Sequence, residues 1–308
     1  MSIPAATDKL ISQVREIFGA DFIPLHRPVF EGNEKQYLSD CIDSNFVSSV
    51  GSRVAEFEKQ VAQFMGAKYA VATVNGTAAL HVALLLAGVK RDDEVISQAL
   101  TFVATCNAIT YAGAEPVFID VDRDTLGLSP DALYSWLQKH ADHRDGQAYN
   151  KQTRARIAAC VPMHTFGIPC RIQQIVEICD QWGIPVVEDT AESLGSYVNG
   201  QHTGTFGKLV TNDGALAKHA KHLTTTAKVP HPYEFVHDEI GYNYRLPNLN
   251  AALGCAQMEK LPVMLQIKAE IADTYRQFCQ QHGLRFVDAP QGTQPNFWLN
   301  AWILDSRT

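Results

Sequence analysis

The chain has 308 residues, of which 46% are hydrophobic, so it can bury a large core and is typical of a globular protein. With 33 acidic and 26 basic residues its formal net charge is −7, which excludes the basic footprint needed to bind nucleic acid or an anionic membrane. No stretch is apolar for long enough to span a bilayer, and residues 1–20 are amphipathic, unlike a signal peptide. We therefore expect a cytoplasmic protein that acts on small molecules.

The cysteines suggest no cross-link and no metal. Seven are scattered along the chain, an odd number, and no two of them form a C-x-x-C pair. This pattern argues against a disulfide framework and against a zinc site. We expect reduced thiols in the core and predict no metal site.

Helical patterns occupy the first part of the chain. Apolar residues recur at i, i+3 and i+4 spacing over residues 7–18, 32–44 and 52–65, and an extended stretch covers residues 23–28. Residues 46–52 are rich in serine and glycine and suit a loop that faces a substrate. An ordinary helix connection with Ser52 as the N-cap explains them equally well.

Strand and helix patterns alternate from residue 69 onward. Strands are predicted at residues 69–73, 94–97, 116–121 and 157–161, and helices at residues 78–86, 102–111, 130–139 and 171–181. This alternation is typical of a parallel sheet with crossover helices. Residues 139–156 are polar and lack periodicity, so they predict a solvated excursion from the sheet. A further helix is predicted to begin near Pro247.

Residues 184–195 are central to the chemistry. They read Ile-Pro-Val-Val-Glu-Asp-Thr-Ala-Glu-Ser-Leu-Gly and predict a buried parallel strand that ends in two carboxylates. Asp189 is therefore expected at the C-terminal edge of the sheet, where open α/β sheets bind ligands. A carboxylate there can hold a cationic ring nitrogen; the alternative is that Asp189 caps the following turn.

A candidate phosphate site precedes the helix at residues 78–86. Gly76 permits a tight turn, and Thr77 brings a hydroxyl to free N–H groups at the positive end of the helix dipole. The alternative is a plain threonine N-cap. The motif matches neither G-x-G-x-x-G nor the P-loop, which disfavours a nicotinamide oxidoreductase and an ATP site.

Two more motifs carry unusual side chains. Phe102 follows Thr101 at the same edge of the sheet, where its ring can stack on a flat cofactor or pack in the core. Residues 241–250 place two tyrosines, Asn243 and Arg245 in a polar loop before a helix. Such a set is uncommon in a plain connection, although Asn and Gly are frequent in turns.

These motifs together resemble the pyridoxal phosphate (PLP) sugar aminotransferases of the DegT/StrS family. The resemblance rests on residues 75–80, 101–102, 161–167, 188–195 and 241–245, and runs from about residue 23 to the end of the chain. The amino-acid sequence of residues 47–51 and 70–80 is most similar to that of the branch of the family that aminates UDP-4-keto-6-deoxy-N-acetylhexosamines. This branch makes precursors of legionaminic acid and bacillosamine-type sugars.

The resemblance implies an α/β fold like that of aspartate aminotransferase. It places an N-terminal helical segment at residues 1–22 and a PLP-binding large domain with a mostly parallel sheet at residues 23–260. A truncated α+β small domain would begin at residue 261 and be incomplete at residue 308, because residues 296–305 look like one of its interior strands. The implied substrates are a nucleotide sugar for surface polysaccharides and an amino donor, expected to be glutamate.

The resemblance also assigns roles. Asp189 would pair with the protonated pyridine nitrogen, Gly76 and Thr77 would bind the phosphate, and Phe102 would stack on the ring.

Two further residues complete the implied site. Glu192 stands where the family usually has Gln or His near the ring hydroxyl, so it would have to be protonated or act through water. Asn243 would reach the phosphate bound by a neighbouring subunit, which implies a homodimer with shared active sites.

The family's catalytic lysine is missing from the sequence. In the family, a lysine that holds PLP as a Schiff base lies in a Ser-Phe…Lys segment followed by a glycine run, shortly after the aspartate strand. Here residues 202–209 are followed directly by residues 210–213. These two stretches resemble the family's sequence on either side of the lysine segment. Lys208 is the nearest lysine, and we expect it to be an ordinary exposed loop residue. No catalytic residue is therefore assigned.

Three interpretations of this junction remain open. The printed sequence omits a segment that an active aminotransferase carries; or the chain is a deletion product that does not turn over; or it is a non-catalytic binding or scaffolding protein. In a continuous chain the Cα atoms of Leu209 and Val210 lie about 3.8 Å apart. We favour omission, because removing a strand from a parallel sheet would expose two strand edges.

Overall fold

The computed structural model describes residues 3–207 and 212–304, except for the side chains of residues 3–6 and 17. The helices are α1 Ile3–Phe18, α2 Glu34–Asp43, α3 Ser52–Met65, α4 Gly76–Leu86, α5 Val103–Tyr111, α6 Pro130–His140, α7 Ile172–Gln181, α8 Gly214–Thr224 and α9 Asn248–His282. The strands are β1 Glu94–Gln98, β2 Glu115–Ile119, β3 Ala141–Arg144, β4 Gln147–Asn150, β5 Arg156–Val161, β6 Tyr197–Val198, β7 Gln201–His202, β8 Arg285–Phe286, β9 Thr293–Gln294 and β10 Trp302–Ile303.

The central sheet has the order β2-β1-β5-β4-β3. Strands β2, β1 and β5 are parallel, and β4 and β3 are antiparallel to their neighbours. Residues 184–189 continue the parallel part beside β5, because Val187 N–H donates to Cys160 O and Asp189 N–H donates to Pro162 O, both at 2.9 Å. The predicted α/β fold with a mostly parallel sheet is confirmed.

Helices cover both faces of this sheet, since successive residues of a strand point to opposite faces. Val95 packs with Leu84 and Ile109, from α4 and α5. Its neighbour Ile96 packs in a different cluster, together with Leu133 and Ile172 of α6 and α7. Strand β1 is buried along its whole length, as expected for a parallel strand between two helical layers.

The strand predicted at residues 69–73 is wrong. Its one ladder contact among the described residues is an isolated antiparallel bridge between Thr73 and Arg245, supported by Val74 N–H donating to Tyr244 O at 2.9 Å. The segment is extended but lies outside the five-stranded sheet, so β-branched composition alone did not make it a strand.

The excursion predicted at residues 139–156 is largely exposed, as expected, but it does not leave the sheet. The segment folds into the antiparallel hairpin β3–β4, which extends the sheet beside the start of β5. Ala148 and Asn150 are buried, and the Asn150 side chain donates to Glu94 Oε2 at 2.8 Å. Burial of a satisfied amide inside the sheet explains why a polar run was compatible with a strand.

The C-terminal part is built on α9. This helix of 35 residues passes through residue 260 without interruption, so the predicted division between residues 260 and 261 lies inside it, and the two-domain description stays a prediction. All seven cysteines are free, and all except the half-buried Cys106 are buried. Across residues 3–207 and 212–304, no helix is both long enough and apolar enough to cross a membrane.

Candidate active site

Asp189 lies at the carboxyl edge of the parallel strands. Its side chain is buried; Oδ2 accepts a hydrogen bond from Thr105 Oγ1 at 2.6 Å, and Oδ1 accepts one from Ala191 N–H at 3.2 Å. The second contact is the turn cap considered as an alternative. Among the described residues no Lys, Arg or His forms an ion pair with Asp189. The buried carboxylate therefore has no cationic partner from these residues, and a positively charged ligand can supply one.

The residue before Phe102 is joined to this carboxylate by a short chain of hydroxyls. Thr101 Oγ1 donates to Thr105 Oγ1 at 3.1 Å, and Thr105 in turn contacts Asp189. Phe102 is the N-cap residue of α5 and its side chain is 64% exposed. The core-packing alternative does not apply, because the ring is free to cover a ligand at the edge of the sheet.

Gly76 and Thr77 are the first two residues of α4. Because α4 ends at Leu86 and leads to the amino end of β1, we expect its N-terminus to face the carboxyl end of the sheet. The helix is capped by Asn75, whose Oδ1 accepts from Ala78 N–H at 2.8 Å, and not by Thr77. A Cβ atom on Gly76 would meet no heavy atom within 4 Å, so the space over the first turn is open to an anion.

Asn243 lies beside the start of α4 in the same chain. It is exposed, and its Oδ1 accepts from Arg245 Nε at 3.0 Å. The next residue, Tyr244, receives Val74 N–H on its carbonyl, and its hydroxyl lies 3.1 Å from Nδ1 of the buried His81. These contacts fix the loop close to the candidate phosphate site, and the contact of Asn243 with a neighbouring subunit stays a prediction.

Glu192 follows Asp189 by three residues. Its Oε2 accepts from Phe166 N–H at 2.7 Å. Burial raises the pKa of Glu192, the negative charge of Asp189 adds to this, and the hydrogen bond from Phe166 opposes both. A raised pKa favours the protonated form; the position of Glu192 near a ring hydroxyl, with a protonated carboxyl or a bridging water, stays a prediction.

Glu188, which received no role from the sequence, is the centre of a buried network. Its carboxylate accepts from the backbone N–H groups of Gly204, Phe206 and Gly207 at 2.7–2.9 Å. His164 Nε2 lies 3.2 Å away, and its Nδ1 accepts from Cys170 N–H, so the imidazole proton is on Nε2 and donates to Glu188. Burial alone would raise the pKa of Glu188, and the hydrogen bonds outweigh it, so the pKa is lowered.

Asn296 is a second residue that the sequence did not reveal. Its Nδ2 donates to the carbonyls of Glu192 and Leu194 at 2.8 and 3.0 Å, which holds the loop after Asp189. Gly167 is required beneath it, because a Cβ there would lie 1.8 Å from Asn296 Oδ1. Asn296 lies more than 100 positions from Glu192 and Leu194 in the sequence, so no local sequence pattern could have indicated these contacts.

The loop at residues 46–52 is held by Asn248 at the start of α9. Asn248 Nδ2 donates to Phe46 O at 2.6 Å, and its Oδ1 accepts from Arg53 N–H at 3.1 Å. A surface cavity of about 410 Å³ lies between this loop and α2. Ser52 is the first residue of α3 and Gly51 is its N-cap, so the predicted capping by Ser52 is wrong.

The junction that raised the question of the missing lysine lies outside the described residues. Lys208, Leu209 and Val210 belong to residues 208–211, and the described chain stops at Gly207 and resumes at Asn212.

Comparison with known proteins establishes the family. Residues 28–210 and 207–307 match the DegT/DnrJ/EryC1/StrS aminotransferase family. The chain belongs to this family. It is 34% identical over 302 residues to a GDP-perosamine synthase of Vibrio cholerae, an alignment that covers 92% of this chain and 78% of the relative. It is 36% identical over 304 residues to EpsN of Bacillus subtilis, named as a pyridoxal phosphate-dependent aminotransferase, with coverage of 92% and 76%.

Solved structures support the same assignment. The aminotransferase TlmJ from Streptoalloteichus hindustanus superposes with a TM-score of 0.77 at 27% identity, covering 91% of this chain and 78% of that one. A sugar aminotransferase from Streptococcus pneumoniae in its PLP-form has a TM-score of 0.77 at 21% identity, covering 90% and 77%, and shows the shared fold. The family depends on PLP, which confirms the predicted cofactor.

Proposed function

We propose that this chain is a PLP-dependent aminotransferase that transfers an amino group, with glutamate as donor, to the 4-keto group of a nucleotide-linked deoxysugar for bacterial surface polysaccharides. The observation that carries the proposal is Asp189, a buried carboxylate without an ion-pair partner among the described residues, at the carboxyl edge of the parallel strands, where open α/β sheets bind ligands. Relatives named GDP-perosamine synthase support a nucleotide sugar as acceptor.

The residues present fit the cofactor. Asp189 would hold the cationic ring nitrogen, and Thr105 would orient that carboxylate through its hydroxyl. The open first turn at Gly76 and Thr77 would take the phosphate, and the exposed Phe102 would cover the ring. When bound, PLP supplies an electron sink for the carbon that exchanges its amino group, and the protein supplies binding and orientation.

The proposal includes the missing lysine. Turnover needs a lysine near Asp189 to anchor the cofactor and move protons. The two stretches that match the family meet at residues 207–210, which supports an interruption of the family's sequence at this junction. We propose that a segment is omitted between Leu209 and Val210; the alternative, favoured by the printed sequence itself, is an inactive chain that still binds the cofactor.

Intact mass and a PLP adduct separate these possibilities. Purified protein with a mass above that of 308 residues, an adduct fixed by borohydride, and amino transfer to a keto sugar would support the active enzyme. A mass equal to the printed chain, no reducible adduct and no transfer would refute it. GDP-linked and UDP-linked 4-keto-6-deoxy sugars, offered in parallel, decide between a perosamine-type substrate and the UDP-N-acetylhexosamine branch.

Two substitutions test the assigned roles. Asp189→Asn is expected to abolish transfer, because the ring nitrogen loses its anionic partner, whereas Thr77→Ala is expected mainly to weaken PLP affinity. PLP titration followed by visible absorbance and a transfer assay measure both effects. Asp43→Asn, an exposed carboxylate on α2, serves as the control. Equal damage from the first two variants would contradict their separate roles.

A shared active site predicts complementation in a homodimer. Asp189→Asn and Asn243→Ala chains would each be inactive alone. If Asn243 serves the site of the neighbouring subunit, random mixing produces heterodimers with one intact site, and about a quarter of wild-type activity returns. Mixtures that stay inactive, although they exchange subunits, would place Asn243 in the site of its own chain.

A further inference from the structure

A cluster of imidazoles and carboxylates lies away from the candidate active site, between α8 and the segment that follows it. His222 Nε2 lies 2.6 Å from Asp238 Oδ1 and 3.7 Å from Glu239 Oε1. One turn earlier on the helix, His219 Nε2 lies 2.9 and 3.1 Å from the two oxygens of the same Glu239. One ligand atom from each of His222, Asp238 and Glu239 lies within 4.8 Å of the others.

A bend in the backbone brings these groups together. Neighbouring residues of a regular strand point to opposite sides, yet Asp238 and Glu239 both face His222, because the chain bends at these two residues. Residues 223–228 and 237–244 form an irregular antiparallel pair: Tyr242 N–H donates to Leu223 O at 2.7 Å, and Thr226 N–H donates to Tyr242 O at 3.0 Å. This pairing fixes the carboxylates opposite the end of α8.

Two of the nearby lysines have other partners. Lys221 on α8 is paired with Glu58 at 2.5 Å, and the Lys228 ammonium lies over the ring of Phe235, 3.9 Å from its centre. With neutral imidazoles the cluster carries two negative charges. A divalent cation would be attracted to this local negative charge.

We propose that His222, Asp238 and Glu239 form a binding site for a divalent transition metal, with zinc as the best fit and water in the fourth position. An imidazole nitrogen with two carboxylate oxygens is a donor set that zinc accepts and that magnesium and calcium do not favour. His219, whose Nε2 contacts both oxygens of Glu239, would hold that carboxylate from outside the set of ligands. Around a tetrahedral ion with bonds of about 2.0–2.2 Å, donor atoms lie about 3.3–3.6 Å apart. His222 Nε2 lies 2.6 Å from Asp238 Oδ1 and 3.7 Å from Glu239 Oε1, and the three ligand atoms lie within 4.8 Å of one another, so rotations of exposed side chains would reach this arrangement.

A metal here would act on the neighbouring loop. It would tie the last turns of α8 to Glu239, four residues before Asn243, and so restrict the loop that carries Asn243 and Tyr244. The site needs neither the missing lysine segment nor PLP, so it stands or falls independently of the proposed function.

Zinc titration of the full chain, untagged and first treated with a chelator, tests the site. Calorimetry is expected to show one zinc ion per chain, tighter at pH 7.5 than at pH 5.5, because a histidine ligand must be deprotonated. His222→Ala and Asp238→Asn should each weaken binding at least tenfold, as the loss of a ligand does at least as much as the loss of an outer partner. His231→Ala, an exposed histidine 3.9 Å from Glu234, is the matched control and should bind as wild type.

Each outcome is decisive. Absence of saturable one-to-one binding, or equal binding by wild type and both ligand variants, would overturn the proposal. Circular dichroism in the presence of chelator checks that each variant is folded, and Glu239→Gln replaces any variant that is not. A PLP titration of the same samples reports on the candidate active site separately, so failure of one site is not mistaken for failure of the other.

Discussion

Glu188 offers a quantitative test of how the loop after the candidate active site is held. Its side chain is 2% exposed and accepts from four donors: the N–H groups of Gly204, Phe206 and Gly207, and His164 Nε2. A net loss of about 1 kcal/mol for each hydrogen bond predicts that Glu188→Ala lowers the free energy of unfolding by about 4 kcal/mol.

Urea unfolding at neutral pH, followed by tryptophan fluorescence, measures this loss. Glu177→Ala, an exposed glutamate on α7, is the matched control and should change the free energy by less than about 0.5 kcal/mol. A loss below about 1 kcal/mol for Glu188→Ala would refute the argument, since it would mean that the four donors find water or other partners at little cost.

The same residue predicts a pH dependence. Because the pKa of Glu188 is lowered in the folded protein, its contribution is fully present above the unfolded pKa of a glutamate, and is lost as the pH falls through the lowered folded value. Wild type should therefore lose stability on the acid side more steeply than Glu188→Gln. Parallel acid profiles for the two proteins would contradict the assignment.

Three substitutions test packing around the site. Gly51→Ala should lower the free energy of unfolding by about 2–4 kcal/mol, because its Cβ would lie 2.2–2.5 Å from the side chain of Asn248, whose hydrogen bonds would break. Gly76→Ala meets no atom within 4 Å, so urea unfolding should show unchanged stability while PLP titration shows weaker binding; a stability loss would disprove the open space. Asn296→Ala should cost about 2 kcal/mol, since the carbonyls of Glu192 and Leu194 each lose a donor, and calorimetry showing no shift in the unfolding temperature would contradict this.

Periodicity predicted the helical and parallel part of the fold well. The helix predicted at residues 52–65 has those bounds, and the strand at residues 94–97 is β1, one residue longer. These elements bury one continuous face or lie wholly inside, so local hydrophobicity reports their state. The hairpin β3–β4 was missed because its polar residues are satisfied by partners such as Glu94, more than 50 positions away.

Some residues of the candidate site were predictable from the sequence and others were not. Asp189 was expected at the end of a buried strand; it lies at the end of a buried extended segment that makes two isolated parallel bridges, Cys160 with Val186 and Met163 with Asp189, instead of a continuous strand. Its burial and its place at the sheet edge were visible in a short stretch of sequence. Thr105, Glu188, Asn248 and Asn296 were not expected to matter, since each acts through contacts that only the assembled chain creates. The cap of α4 shows the limit within one motif, where Asn75 and not Thr77 accepts the helix N–H.

The long helix α9 has the geometry of a lever, because a bend at one point would move its far end. Its 35 residues span about 52 Å, and it contains Pro262, which cannot donate a hydrogen bond to the carbonyl of Met258. The arm beyond the proline measures about 30 Å, so a change of about 10° in its direction would move the far end by about 5 Å. One end is clamped at Asn248, and Lys268 on the arm donates to the Trp298 carbonyl beside Asn296. Lys268 lies about 9 Å beyond the proline, so the same bend would move this contact, and with it the segment that braces the loop after Asp189, by about 1.6 Å.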